Sequence, residues 1–147
     1  MKEAKNGKEI QTESEEVLDI GKFFSRKNEE EGVWHEAVVK GVPTGIEFKI
    51  YGPNSTPVTV ADEEFTKARE ALNSITDPEK KANELEILVA KRFAAYIADI
   101  RSKDGKKLVY KGKEVTGDDA YDIIYGSPVL ALDISRFAVR QDNFLEA

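Results

Sequence analysis

The sequence predicts an α+β fold that is mostly helical, and three observations carry that expectation. Apolar and polar residues alternate in an early stretch, apolar residues recur at helical spacing from about residue 58 onward, and two prolines sit at helix starts behind capping residues. The expected order is a small N-terminal β-hairpin followed by about four helices, with a flexible charged N-terminal arm ahead of them. Residues 1–31 make up that arm and residues 32–147 a single domain, a length sufficient for one hydrophobic core.

The arm is charged throughout and poor in apolar residues, so it buries too little surface to offset an ordering entropy of about 1–2 kcal/mol per residue. Its exception is Val17-Leu18-Asp19-Ile20-Gly21-Lys22-Phe23-Phe24, which reads as a docking motif within a tail or, alternatively, as part of an ordered arm. The periodicity changes at Gly32. Val33 to Lys40 is rich in β-branched and aromatic residues, and Ile46, Phe48 and Ile50 alternate with Glu47, Lys49 and Tyr51. Between them, Gly41-Val42-Pro43-Thr44-Gly45 supplies the residues of a hairpin connection. Two strands alone are marginal, so their apolar face must pack on a helix or on another chain.

Gly52-Pro53-Asn54-Ser55-Thr56-Pro57 ends the hairpin, and helical spacing follows from Val58 to Ser74. Asp77-Pro78-Glu79 then has the cap, first-position proline and dipole-favouring acid of a helix start. That helix is expected to reach Arg101, with Leu85, Leu88, Val89, Phe93, Tyr96, Ile97 and Ile100 along one stripe. After a polar turn, Leu108-Val109-Tyr110 is a candidate third strand of the hairpin. Thr116 to Asp119 matches a capping box opening a helix to Tyr125, and Ser127-Pro128 starts the last helix, whose buried side is Leu130, Ile134, Phe137 and Ala138.

Composition excludes several functions. The net charge of -6 argues against general binding of nucleic acid backbones, which requires a basic footprint. The absence of cysteine removes disulfides, thiolate nucleophiles and thiolate metal sites, and suits a reducing cytosol. No run of about 20 apolar residues suggests a membrane span, and the charged N-terminus has no signal core. His35, the single histidine, has no second imidazole or nucleophile motif to work with and reads as a strand surface residue. Asp118, Asp119 and Asp122 lack the ligand spacing of a calcium loop and read as helix-start acids. Glu13-Glu15-Glu16 and Glu29-Glu30-Glu31 read as solvated charge runs, and Gly52-Pro53-Asn54-Ser55 as a capping turn. Trp34 is equally a core residue or an interface anchor. No catalytic residue, metal site or cofactor is expected.

The sequence given closes on Asp142-Asn143-Phe144-Leu145-Glu146-Ala147, and large apolar residues there must be packed or docked on a partner. The order of parts matters here. A strand runs into Ile50-Tyr51-Gly52-Pro53-Asn54-Ser55, a helix contains Leu88-Val89-Ala90-Lys91-Arg92, a loop reads Lys103-Asp104-Gly105-Lys106, and the last helix leads to Arg140-Gln141-Asp142-Asn143-Phe144-Leu145. From Ile46 to Ala147 this resembles the tail assembly chaperones of long-tailed bacteriophages. That family has a Tyr-Gly turn with Asn or Asp and Ser after its first strand, and a C-terminus of the form D-x-x-N-F-L. It often carries Trp or Tyr near the end of the long helix, where this chain has Tyr96 and no Trp.

The resemblance implies a non-enzymatic protein of the host cytoplasm that coats the tape measure protein, helps recruit tail tube subunits, and is absent from the finished virion. It also implies self-association. The expected partner contacts are Phe144, Leu145 and Phe137, with Phe23 and Phe24 of the arm. A structural virion protein, its arm ordered on neighbouring subunits, is the alternative. An enzyme or metal protein using His35, Asp118 and Asp119, or a host regulatory domain, comes behind both.

Overall fold

A computed structural model describes residues 16–146. The fold is α+β: a three-stranded antiparallel sheet, a separate two-stranded hairpin and five α-helices among the described residues. In chain order the elements are α1 (Arg26–Glu31), β1 (Val33–Val39), β2 (Val42–Ile50), α2 (Thr56–Ala71), α3 (Pro78–Ala94), β3 (Ile97–Ser102), β4 (Val109–Tyr110), β5 (Lys113–Glu114), α4 (Ala120–Gly126) and α5 (Pro128–Ala138). A 3-10 turn at Gln141–Phe144 follows α5.

The sheet order is β1-β2-β3, with Trp34 opposite Lys49, Lys49 opposite Asp99, and Phe48 between His35 and Ile100. Period-two alternation therefore divides the sheet into two faces. The inner face carries Ala37, Phe48, Ile50, Ile97 and Ile100, all buried with Ala90, Ile124, Ile134, Ala138 and Phe144 in one core. The outer face is polar. There Arg101 lies 3.7 Å over the Trp34 ring and its Nε donates to Glu47 at 2.7 Å, while Lys103 reaches Glu36 at 3.0 Å. Trp34 is thus half-buried beneath a guanidinium on the solvent face, outside the core.

The sequence and the sheet differ in three places. The hairpin turn is the two-residue Lys40-Gly41, with φ of 54° and 76°, the pattern of a type I′ turn. Pro43, Thr44 and Gly45 belong to β2, where the register shifts, and Thr44 Oγ1 donates to Ala37 O at 2.8 Å. The long helix stops at Ala94, and Ile97–Ser102 is the third strand of the sheet. Tyr96, Ile97 and Ile100 fit the helical period and not strict alternation, and the register shift between Ile97 and Asp99 is what lets Ile97 and Ile100 share the inner face; pairing with β2 decides for strand, because β2 would otherwise leave a row of unpaired backbone groups. A strand therefore occupies the stretch expected to be the end of the long helix. Leu108-Val109-Tyr110 does not join this sheet. Val109 and Tyr110 pair with β5 instead, across a second Lys-Gly turn at Lys111 and Gly112.

Local capping signals correspond directly to structure. The Asp77 carboxylate accepts from Glu79 N at 3.1 Å, Ser127 Oγ accepts from Leu130 N at 3.4 Å, and Thr116 with Asp119 forms the reciprocal capping box. Helix α2 buries Val58 near its start and packs on α3, with Ala61, Phe65 and Ala68 partly covered at heptad spacing before buried Leu72. Arg92 of α3 ties the pair, donating to Asp62 at 2.8 Å and lying 4.7 Å over the Phe65 ring. Among the described residues no helix is long and apolar enough to cross a membrane.

Candidate functional site

The two ends of the described chain meet at one place, and a buried carboxylate organises it. Glu29 lies in a run of three glutamates, yet only 3% of it is exposed. Its Oε1 accepts from Asn54 N at 2.7 Å, and its Oε2 accepts from Ser25 Oγ at 2.7 Å and from Gln141 Nε2 at 3.2 Å. Burial pushes this carboxyl up, but the donors Ser25 and Asn54, with the Arg26 charge nearby, together pull it below the ordinary glutamate value. Gly52 N donates to Glu29 O at 3.0 Å. The approach is so close that a Cβ on Gly52 would stand 2.1 Å from Glu29 Cγ.

Neighbouring residues extend the junction. Glu30 accepts from Thr56 N at 3.0 Å and from Thr56 Oγ1 at 3.1 Å, so it caps α2. Ser55, at the N-cap position, instead donates its Oγ to Gly52 O at 2.7 Å, fully buried. Asn28 Nδ2 donates to Phe144 O at 3.0 Å, and Glu146 N donates to Phe24 O at 2.8 Å. These bonds correct two readings of the sequence. The glutamates at 29 and 30 are bonded, not a solvated run, and the flexible arm does not extend to Glu31. Its first 15 residues lie outside the described part of the chain. A cleft of 330 Å³ opens at this junction, lined by Phe24, Ser25, Arg26, Glu29, Asn54, Gln141 and Glu146.

The five expected contact residues separate into two sets. Phe144 is fully buried, edge-on to Phe137 with ring centroids 5.7 Å apart. It closes the core and leaves no surface for a partner. Phe137 is half-buried between Phe144 and His35, whose ring stacks on it at 4.3 Å. By contrast, Phe23 and Phe24 are 65% and 54% exposed and Leu145 36%. The Glu146–Phe24 backbone bond joins the chain next to Leu145 to Phe24, and Ile20, in the 3-10 turn Ile20–Phe23, is exposed as well. Asp19 caps that turn, accepting from Gly21 N at 2.9 Å. The exposed set thus combines side chains from both ends of the described chain on a hydrogen-bonded frame.

His35 is not a surface residue. Its Nε2 lies 2.7 Å from Asp133 Oδ2, with both side chains mostly covered, and the same oxygen accepts from Val38 N at 3.1 Å. The pair fastens α5 to the edge strand β1. Asp119 accepts from Thr116 N at 2.8 Å in its cap, and among the described residues no three His, Asp or Glu side chains group as a metal site would need. Sequence reasoning missed Asn28, Glu29, Gln141 and the close approach at Gly52. The available signal was the Gly-Pro-Asn-Ser turn, whose Gly52 and Asn54 N–H groups both donate to Glu29. Comparisons with protein-family models, curated proteins and solved structures give no match.

Proposed function

We propose that this protein is a tail assembly chaperone of long-tailed bacteriophages, acting in the host cytoplasm by binding the tape measure protein and helping to recruit tail tube subunits. It makes and breaks no covalent bond in this reading. The observation that carries it is the exposed apolar surface of Ile20, Phe23, Phe24 and Leu145, held on a frame of backbone and amide hydrogen bonds. Exposed aromatics on a rigid support have the character of interface anchors. A second support is spatial. The Tyr51-to-Ser55 turn and the Asn143-Phe144-Leu145 terminus, the stretches on which the family resemblance rests, are joined through Asn28, Glu29 and Gln141.

The test is co-expression with the tape measure protein of the phage that encodes the chain. The native protein should keep that polypeptide soluble and co-purify with it. A Phe23→Ser/Phe24→Ser/Leu145→Ser variant should bind it ~30-fold or more weakly, the effect of losing an anchor cluster, with its own melting temperature little changed. Equal binding by the variant, or a tape measure protein that stays insoluble beside the native chain, refutes the reading. So does stoichiometric presence of the protein in purified virions, which is the behaviour of a structural component.

A further inference from the structure

Helix α5 is apolar on both sides, which is the character of a helix covered all round. Its inner side, Leu130, Ile134, Phe137 and Ala138, packs in the core. Its outer side is a stripe at Val129, Leu132, Arg136 and Val139. At about 100° per residue these four fall within about 80° of one another, on the side away from Ile134 and Ala138. Val129, Leu132 and Val139 are 52%, 50% and 67% exposed. The two longer helices turn a different surface to solvent: α2 exposes Glu63, Glu64, Lys67 and Glu70, and α3 exposes Glu79, Lys80, Lys81 and Glu84. The single charge on the α5 stripe is Arg136, which is exposed and makes no ion pair among the described residues. Asp133, at the stripe's border, is held by His35 and Val38.

The geometry of the stripe selects its occupant. A helix pairs its backbone groups internally and has no strand edge, so an extended peptide gains no backbone bonds on α5. Steps of three, four and three residues are those of the a and d positions of a coiled coil, which receive the side chains of a second helix. The stripe is about 15 Å long, which matches three turns of such a partner. Arg136 lies within it and loses water when covered, so the partner must bring a carboxylate to that point. We infer that the outer stripe of α5 docks an amphipathic helix of another protein, one with apolar residues at a and d spacing and an Asp or Glu opposite Arg136. A second copy of this chain fits less well, since its own α5 brings another Arg136 and no free carboxylate. The stripe is on a different element from the Phe23, Phe24 and Leu145 surface, so this contact is additional to that one.

Fluorescence anisotropy with the purified full chain tests this, independently of the tape measure protein. The probe is a labelled helical peptide of about 21 residues, with Leu at its a and d positions and one central Glu. The native chain should bind it ~10-fold or more tightly than the same peptide with Lys in place of that Glu. Leu132→Glu should weaken binding ~10-fold or more, and Arg136→Glu should invert the preference so that the Lys peptide binds better, both with little change in melting temperature. An inverted preference requires a folded variant, so it separates docking from a loss of structure. The Phe23→Ser/Phe24→Ser/Leu145→Ser variant should bind the Glu peptide as the native chain does. No binding by the native chain at ~100 μM, native affinity in Leu132→Glu, an Arg136→Glu variant without the inversion, or loss of binding in the Phe23/Phe24/Leu145 variant would each overturn the inference. So would a native dimer in sedimentation that Leu132→Glu dissociates, because the occupant of the stripe would then be a second copy.

Discussion

Gly52→Ala is the sharpest perturbation the junction offers. Backbone strain is not the reason, because Gly52 has no positive φ, in contrast to Gly32, Gly41 and Gly45. The obstacle is Glu29. The new methyl would stand 2.1 Å from its Cγ, 2.5 Å from its Cβ and 2.6 Å from its Oε1. Rotating the side chain moves Cγ and the carboxylate but leaves Cβ where α1 holds it, so α1 must shift as well. The shift breaks the carboxylate's bonds to Asn54 N, Ser25 Oγ and Gln141 Nε2. Each bond to a charged acceptor contributes about 1.5 kcal/mol net, and exposure of the cleft restores some solvation, so a loss of about 3–4 kcal/mol is expected. For a domain of this size that lowers the melting temperature by about 10 °C. Thermal unfolding followed by circular dichroism measures it, with Glu29→Ala and the double variant alongside. The double variant should lose less than the two singles added together, because both remove the same carboxylate. A Gly52→Ala protein that melts within about 2 °C of the native one would refute the argument, since it would mean that α1 is not seated against the turn.

Three further outcomes follow from the same geometry. Phe144→Ala should cost about 3–5 kcal/mol in urea unfolding, the range for emptying a buried aromatic site, whereas Phe24→Ala should change stability by under about 0.5 kcal/mol. Asp133→Ala removes the acceptor shared by His35 Nε2 and Val38 N, and should cost about 1–3 kcal/mol, with faster amide exchange at Val38 as the local readout. Glu29 has a folded pKa below its unfolded one, so its stabilisation is present above the unfolded value and is lost as pH falls through the folded value. Glu29→Gln should therefore be less stable than the native protein at neutral pH and converge on it as the pH falls below the ordinary glutamate range and through the folded value, measured by urea midpoints in acid.

Much of the fold was legible because it is written in local chemistry. Asp77 and Pro78, Thr116 with Asp119, and Ser127 with Pro128 act within one helical turn of themselves, so their residue types suffice to start helices wherever the chain goes. The alternation of Ile46, Phe48 and Ile50 likewise identified the buried face of β2. The candidate site was legible only in part. The exposed aromatics Phe23 and Phe24 stood out by their polar setting, but nothing about Glu29 separated it from Glu30 or Glu31 before the turn at Gly52 was placed against it.

What the sequence determined by itself, then, is where helices begin, which face of β2 is apolar, and that the arm carries aromatic residues without a core of their own. The tertiary structure alone decided three matters. Ile97 and Ile100 became strand because β2 had an open edge to pair, a non-local demand that outweighs the helical spacing of these residues. Phe144 went inside and Leu145 stayed at the surface, since the Gln141–Phe144 turn aims one side chain at Phe137 and leaves the next outside the core. A glutamate became buried because donors from Asn54 and Gln141, in two distant parts of the chain, join the local donor Ser25 on it, and such convergence stabilises a carboxylate only once those parts are folded together.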